Sequence, residues 1–338
     1  MIEIDKPYLI FLGAVENPLD AKTGRGLVDW RRELCVGQYV LPGCRVDLGL
    51  PALTPGEAHA AGARSLVIGV ASFGGRIEAG WLDALLAALD AGLDIVSGMH
   101  TRLESNDALR HKAAQTGRRL INVREPPPDL PVGNGRRRSG RRVLMVGTDC
   151  CVGKKYTALS LHRELVARGE SATFRATGQT GILIAGSGIP IDAVVADFLS
   201  GAAETLSPDN EPGHWDVIEG QGSLFHPAYA AVTLGLLHGS QPDALVLCHD
   251  AARTSIDGYP DYPIPALDTS IAHYLDAAKL TNPEARFIGI SLNTAGMTDA
   301  ERQQMLDDVT QLTGLPAVDP IATGVAPLAN ALTEIHKA

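Results

Sequence analysis

Short hydrophobic runs alternate with helical patterns in the first part of the chain. The runs YLIFLGAV, LVIGVAS, DIVSGM and RLINV have the length and the aliphatic content of buried strands. Between them, Thr54, Pro55 and Glu57 stand at the N-cap, N1 and N3 positions of a capping box, and Gly92 and Gly117 follow helical stretches as stop signals. Strands that alternate with helices predict a parallel sheet covered by helices.

The same alternation restarts at residue 142. RVLMVG is a strand-like run, and ATFRATG, WDVIEG, ALVLCH and RFIGISLN follow it. Helical patterns lie between these runs, in KKYTALSLHRELVARG, DAVVADFLSGAAETL and TDAERQQMLDDVTQLTG. The predicted fold class is therefore α/β, with a Rossmann-like N-terminal domain at 1–124 and a P-loop NTPase-like domain at 142–338.

The linker between the two predicted domains is residues 125–141, within the stretch VREPPPDLPVGNGRRRSGRR. Its prolines favour an extended chain, and five arginines fall between residues 136 and 142. Such a charge run is either an anion-binding strip or a solvated linker, and we favour the linker.

Composition and charge narrow the class of protein. A net charge of −10 argues against general nucleic-acid binding, which needs a basic footprint. No hydrophobic run approaches the roughly 20 residues of a membrane span. The five cysteines are an odd number without framework spacing, which indicates reduced thiols, and the adjacent Cys150 and Cys151 are not a C-x-x-C pair, so no zinc site is indicated. We expect a cytoplasmic homo-oligomer that acts on a small molecule and binds neither nucleic acid nor membrane.

The stretch GTDCCVGKKYT, residues 147–157, has the form of a phosphate-binding loop between a strand and a helix. Backbone N–H groups at the start of a helix bind anions, and Lys154 adds a positive charge. Lys155 stands where nucleotide-hydrolysing loops carry the Ser or Thr that binds Mg²⁺. The loop therefore suits a diphosphate bound without metal, unless Thr157 supplies a displaced hydroxyl.

Two motifs resemble the dethiobiotin synthetase branch of P-loop proteins. The loop shares G-T-D followed by V-G-K, and VIEGQGSLFHPAY, residues 217–229, is similar to a strand that ends in V-E-G-x-G. In that branch the glutamate that matches Glu219 lies near the phosphates and the metal. This resemblance implies an alternative function, a Mg-ATP-dependent ligase or kinase, from which Lys155 departs.

Four longer stretches resemble the D-glutamate N-acetyltransferase family. They are GTDCCVGKKYTAL, FRATGQTGILIAGSGIPIDAVVADF, the run 217–254 and, in the first domain, VIGVASFGGRI with DIVSGMHTRL. The resemblance implies transfer of an acetyl group from acetyl-CoA to the amine of D-glutamate. It also implies that the loop holds the phosphates of coenzyme A and that no metal is required.

The site residues that we expect fall into three groups. Acetyl transfer to an amine needs a base, donors for the oxyanion and cations for the substrate carboxylates. The catalytic candidates are Glu219 and His226 as base, with Asp149 as an orienting group. The expected cofactor contacts are Gly147, Thr148, Asp149, Cys150, Cys151, Val152, Gly153, Lys154, Lys155, Tyr156, Thr157 and Asn293. The expected substrate contacts are Thr177, Gln179, Thr180, Gln221, Ser223, Arg253, Lys22 and Arg31.

Two further alternatives remain open at this point. A ping-pong reaction through Cys150 or Cys151 would replace direct transfer, although a ligand packed on the loop would cover these thiols. A sensor would bind the nucleotide or coenzyme A and show no turnover.

Overall fold

The computed structural model describes residues 4–71 and 75–337, and these form two compact units. The first unit comprises the described residues up to 125 together with 178–190, and the second comprises 126–177 and 191–337. Residues 72–74, which belong to the motif VIGVASFGGRI, lie outside the described residues. No described helix is both long and apolar enough to cross a membrane.

The first unit is built on a parallel sheet of five strands in the order β2-β1-β3-β4-β5. The strands are β1 (Tyr8–Gly13), β2 (Cys35–Val40), β3 (Ser65–Ile68), β4 (Asp94–Ser97) and β5 (Leu120–Asn122). Every residue of β1, β3 and β4 is buried, because parallel strands are covered on both faces.

Four helices before residue 125 belong to the first unit. They are α1 (Lys22–Arg31), α2 (Pro55–Ala60), α3 (Leu82–Asp90) and α4 (Asp107–Thr116). The capping box of Thr54 and Glu57 is present at α2, and Gly117 ends α4 in the left-handed conformation. These local signals confirm the helix boundaries that the sequence predicted.

The second unit is built on a parallel sheet of six strands in the order β13-β12-β9-β6-β8-β7. In chain order its elements, with α6 of the first unit included for numbering, are β6 (Arg141–Gly147), α5 (Lys154–Ala167), β7 (Ala172–Arg175), α6 (Gln179–Ala185), α7 (Leu199–Leu206), β8 (Trp215–Ile218), α8 (Ala230–Ser240), β9 (Ala244–Asp250), β10 (Ser255–Ile256), β11 (Tyr259–Pro263), α9 (Leu267–Lys279), β12 (Arg286–Asn293), α10 (Asp299–Thr313), β13 (Ala317–Val318) and α11 (Ala326–Lys337). Strands β10 and β11 form a separate antiparallel hairpin. The α/β class with parallel sheets is confirmed.

Helix α6 packs in the first unit although its sequence lies between two strands of the second. Thr180 Oγ1 lies 2.9 Å from Thr23 Oγ1 of α1, and Arg31 donates to the carbonyl of Ile184 at 2.8 Å. The Gln179 amide oxygen accepts from Arg124 at 2.8 Å. The polypeptide therefore passes between the units three times, whereas the sequence pattern suggested a single passage.

The predicted helix DAVVADFLSGAAETL is shorter than its pattern. Two 3₁₀ turns, Ile191–Ala193 and Ala196–Phe198, precede α7, which begins only at Leu199. The adjacent Val194 and Val195 separate these turns, and β-branched side chains lower helix propensity.

The arginine-rich stretch packs within the second unit instead of forming a solvated linker. Arg142 is fully buried and donates to Ser207 Oγ at 2.9 Å, and Arg138 donates to the carbonyl of Gly239 at 2.7 Å. Burial lowers the pKa of Arg138 to about 10. The more exposed arginines pair with carboxylates, Arg136 with Asp209 and Arg137 with Asp243. Each of these four guanidinium groups thus has at least one partner within the second unit.

Candidate functional site

A tight loop, residues 148–153, connects the buried strand β6 to α5 in the second unit. Cys151 and Gly153 both have positive φ, 57° and 101°. A side chain at Gly147 would come within 3.1 Å of Lys154 Nζ and 2.9 Å of Val152, so glycine is needed where the strand ends. The loop thus has the strand, turn and helix arrangement in which backbone N–H groups bind an anion.

Lys154 is buried at the first position of α5, and its Nζ donates to the carbonyl of Asp149 at 2.7 Å. The ammonium group therefore spans the loop from one side to the other. Lys155 is more exposed, and its Nζ lies 4.9 Å from the centroid of the Tyr156 ring. Two adjacent cations at the N-terminus of a helix give this loop a strongly positive surface for an anion.

The Thr157 hydroxyl is turned into the core. It donates to the carbonyl of Gly153 at 3.1 Å and lies 2.8 Å from Ser291 Oγ on β12. The side chain is 0% exposed. Thr157 therefore cannot present its hydroxyl to a metal or a phosphate in this arrangement, and the alternative of a displaced magnesium ligand has no support from this residue.

Asp149 is the buried centre of a charged network. Its Oδ2 accepts from Arg253 Nη1 at 2.6 Å and from the backbone of Asp257 at 2.8 Å. Arg253 also donates to the carbonyl of Cys150 at 2.8 Å. Burial acts to lower the pKa of Arg253, but the pairing with Asp149 and the nearby Asp250 and Asp257 raise it above its ordinary value. Arg253 thus fixes the loop; its expected contact with substrate stays a prediction.

Glu219 directly follows β8 and is bonded to the end of the next strand in the sheet. Its Oε2 accepts from the backbone of Thr177 at 3.0 Å, and the Thr177 hydroxyl donates to the carbonyl of Glu219 at 2.6 Å. Gln221 donates to the same hydroxyl at 3.1 Å. A Cβ atom at Gly220 would lie 1.7 Å from the carbonyl oxygen of Met145, so this turn packs directly against β6.

His226 is buried in the loop that follows this turn. Its Nδ1 accepts from the backbone of Ala228 at 3.1 Å, and its ring packs 4.5 Å from that of Tyr229 and 5.2 Å from that of Tyr259. Burial lowers its pKa, and Lys154 acts in the same direction, while Asp149 and Asp257 oppose this. The imidazole is therefore held neutral at neutral pH.

In the described part of the chain, one trio of side chains converges closely enough to hold a metal ion. Ligand atoms of Asp149, Cys150 and His226 lie within 4.8 Å of one another. Arg253 already neutralises Asp149, and Lys154 lies beside it, so a further cation would meet repulsion. The charges favour an anion at this place. Our expectation that no metal is required stays a prediction.

Five other expected residues lie in the same loop, near it or at an adjacent strand end. The hydroxyl of Thr148 lies 3.0 Å from His249 Nδ1, and Ser223 is fully buried. Asn293 ends β12 and donates to Asp250 at 3.2 Å. Cys150 is half-buried and Cys151 is exposed. The structure thus gathers most of the expected cofactor residues on one side of the second unit's sheet.

The expected residues Lys22, Arg31, Gln179 and Thr180 belong to the first unit. Lys22 is the exposed first residue of α1, and Arg31 is paired with Glu33 as well as with the Ile184 carbonyl. Gln179 and Thr180 are held by Arg124 and Thr23. These partners give Arg31, Gln179 and Thr180 structural roles, and the contact of all four residues with substrate stays a prediction.

Sequence reasoning missed two residues that hold the loop. The Tyr274 hydroxyl, on α9, donates to the carbonyl of Gly147 at 2.8 Å and accepts from Leu224 at 3.1 Å. Burial raises the pKa of Tyr274 to about 12. Asp257 bonds Asp149 only through its backbone N–H, so the identity of its side chain could not have predicted this contact. A tyrosine on the buried face of a helix was the one available signal, because its hydroxyl requires a partner.

The hairpin that carries Asp257 borders a cavity. The cavity has a volume of about 340 Å³ and is lined by residues 252–260, which include Arg253, Asp257 and Tyr259. The same three residues contact Asp149 or His226. An open space therefore lies beside the charged network of the loop.

Family models match both parts of the chain. A model described as a domain of unknown function (DUF1611_C), a P-loop domain, matches residues 131–329. A second, DUF1611_N, described as a Rossmann-like domain, matches residues 39–126. Both descriptions agree with the predicted fold classes.

Relatives and a solved structure resemble the chain over nearly its whole length. A protein of Tritonibacter scottomollicae named D-glutamate N-acetyltransferase is 49% identical over 98% of this chain and 100% of its own. One of the same name from Pseudoalteromonas sp is 46% identical over 96% of this chain and 98% of its own. The crystal structure of a DUF1611 family protein from Anabaena variabilis is 34% identical, with a TM-score of 0.89 over 98% of this chain and 100% of that one.

Proposed function

The chain belongs to the DUF1611 family, and on that premise we propose that it is an N-acetyltransferase that moves the acetyl group of acetyl-CoA to the amine of D-glutamate. The observation that carries the proposal is the pair of relatives of that name, which are 49% and 46% identical over almost the full chain. Identity at this level, without large gaps in coverage, favours a shared reaction.

The geometry of the phosphate loop supports coenzyme A as the donor of the acetyl group. Lys154 and Lys155 place two positive charges at the start of α5, where backbone N–H groups also point outward. The Thr157 hydroxyl, which a metal-dependent loop would need, is buried and bonded. Acyl transfer requires no metal, so a diphosphate held by lysines and N–H groups suffices.

The reaction that we propose is direct transfer. Glu219 removes a proton from the ammonium group, and the free amine attacks the carbonyl carbon of the thioester. The C–N bond forms, the C–S bond breaks, and the thiolate of coenzyme A takes up a proton. The carboxylate of Glu219 is buried at a strand end, which is where sites of α/β folds form.

Release of free thiol tests this function. The protein is incubated with acetyl-CoA and a panel of D- and L-amino acids, with and without EDTA. We expect thiol release with D-glutamate that EDTA does not abolish. Formation of ADP from ATP, dependent on Mg²⁺, would instead establish the ligase or kinase alternative, and ligand binding without turnover would indicate a sensor.

A double substitution tests direct transfer against a ping-pong reaction. Cys150→Ala with Cys151→Ala removes both thiols of the loop, and we expect transfer to D-glutamate to continue. Loss of transfer, together with an acetylated cysteine in the wild-type protein by mass spectrometry, would show that the acetyl group passes through the loop.

We also propose a homo-oligomer in the cytoplasm that acts on small molecules without nucleic acid or membrane. The net charge of −10 supports the absence of a nucleic-acid partner. Light scattering on the purified protein measures the assembly, and a monomer at all concentrations would contradict it.

A further inference from the structure

One ring nitrogen of His226 is committed to the backbone. Nδ1 accepts the N–H of Ala228 at 3.1 Å, and only an unprotonated ring nitrogen can accept. The proton of the neutral imidazole therefore resides on Nε2. A base needs a lone pair, which is absent at Nε2 and occupied at Nδ1. In this arrangement His226 is a hydrogen-bond donor and not a base.

The surroundings keep the ring in this state. The backbone of His226 donates to the carbonyl of Ser223 at 3.1 Å, and the rings of Tyr229 and Tyr259 pack against the imidazole. Asp149, Cys150, Asp257, Lys154 and the two tyrosines are the titratable groups that face it. The side chain is 2% exposed, which disfavours a second proton.

The imidazole of His226 lies at the phosphate loop. One ring nitrogen of His226 lies within 4.8 Å of Cys150 Sγ and of an Asp149 carboxylate oxygen. Nε2 forms no hydrogen bond with any residue that the structure describes. A donor without a partner, on a residue that is 2% exposed and lies beside an anion-binding loop, is the arrangement that a bound anion would complete.

The imidazole lies beside Asp149 and Cys150, which are residues of the phosphate loop itself. A diphosphate held on this loop is therefore the part of coenzyme A that the donor of His226 would meet. We propose that His226 donates a hydrogen bond from Nε2 to the diphosphate of coenzyme A, an assignment that rests on the proposed function for the identity of the ligand.

Two substitutions separate the nitrogens of the ring. His226→Asn keeps a polar group near Nδ1, which can accept from Ala228, and removes the donor at Nε2. His226→Gln places an amide near Nε2 and gives up the bond to Ala228. We expect His226→Asn to weaken coenzyme A binding by roughly tenfold or more, since a hydrogen bond to a charged group contributes that much. His226→Gln should lose less.

Titration calorimetry with coenzyme A and with pantetheine, which lacks phosphate, reads out the contact. The proposal expects weaker coenzyme A binding by His226→Asn and unchanged pantetheine binding. A collapse of kcat with coenzyme A affinity intact would overturn it, as would equal loss for both ligands. Melting temperatures of both variants show whether the fold is intact.

A second measurement does not depend on the reaction. Nitrogen-15 spectra of the wild-type ring should show an unprotonated Nδ1 and a protonated Nε2, and the reverse would overturn the inference. If the wild type does not acetylate D-glutamate, the proposed function fails by itself. Calorimetry with inorganic pyrophosphate then tests the donor separately: weaker binding by His226→Asn supports it, and equal binding overturns it.

Discussion

Asp149 and Arg253 form an ion pair in which Nη1 of the guanidinium lies 2.6 Å from Oδ2 of a fully buried carboxylate. The same Nη1 also donates to the carbonyl of Cys150. The two residues are 104 positions apart, so the pair joins the phosphate loop to the segment after β9. It holds the loop in shape before any ligand binds.

Removal of this charge should destabilise the fold. We expect Asp149→Asn to lower the free energy of unfolding by about 3 kcal/mol, because Arg253 is left buried without its counter-charge. Urea denaturation measures this. Asp299→Asn is the matched control, since the Asp299 side chain is 100% exposed and solvent screens its pair with Arg302, so its effect on stability should be small. Equal effects in both variants would contradict the structural role of the buried pair.

Lys155 distinguishes coenzyme A from a metal-bound nucleotide. We expect Lys155→Thr to weaken acetyl-CoA binding about tenfold through loss of one charge-assisted contact with phosphate. It should not create ATP hydrolysis, because a hydroxyl alone does not supply the rest of a metal site. Lys155→Arg keeps the charge and should retain most of the affinity. Unchanged acetyl-CoA affinity in Lys155→Thr would show that this lysine does not contact the ligand.

The role of Glu219 as general base is tested by Glu219→Gln, which keeps the shape of the side chain. Glu219→Gln can still accept from the backbone of Thr177, but it cannot take a proton from an ammonium group. We expect kcat to fall by roughly 10²–10⁴, the range for loss of a general base, with an unchanged melting temperature. Gln221→Glu is not a suitable control, because it adds charge; Thr177→Ser keeps the hydroxyl and should remain active. Wild-type kcat in Glu219→Gln would remove this residue from the proton transfer.

Stability should fall as the solution becomes acidic. Burial lowers the pKa of His162, His226 and His249 in the folded protein. Below an unfolded pKa of about 6.5 the unfolded chain therefore binds more protons than the folded one, and the free energy of unfolding decreases as pH drops. Denaturation at pH 7.5 and 5.5 measures this. His249→Gln should reduce the slope; an unchanged slope would show that His249 titrates alike in both states.

Local signals in the sequence were sufficient for the elements that build the site. The capping box at Thr54, and the strand, turn and helix of the phosphate loop, depend on neighbours a few residues apart. The hydrogen-bond partners of Asp149 and Gly147 were not predictable in this way. These partners are Arg253, Asp257 and Tyr274, which lie more than 100 positions away in the sequence. The residues around each of them do not indicate which group it will bond.

The burial of the arginines between residues 136 and 142 could not be predicted from local sequence either. Composition suggested a solvated run between two domains, and the burial of Arg138 and Arg142 depends on carbonyl groups of later elements. Gln179 and Thr180 were expected to contact the substrate because they follow a strand of the second sheet. Their side chains are held by Arg124 and Thr23 of the first unit, and the contact with substrate stays a prediction. The pattern of hydrophobic and polar residues predicts a helix or strand, but it does not predict which unit that element packs in.

The passage of α6 into the first unit has a consequence for how the protein is made. Ribosomes deliver the chain from its N-terminus, and residues up to 125 emerge without the helix that supplies the partners of Thr23 and Arg31. The first unit cannot be completed until residue 190 has left the exit tunnel, when strands β6 and β7 of the second unit are already outside. A ribosome paused near residue 150 would therefore hold an incomplete N-terminal unit, and a gene fragment that ends at 125 would encode the same unfinished state permanently.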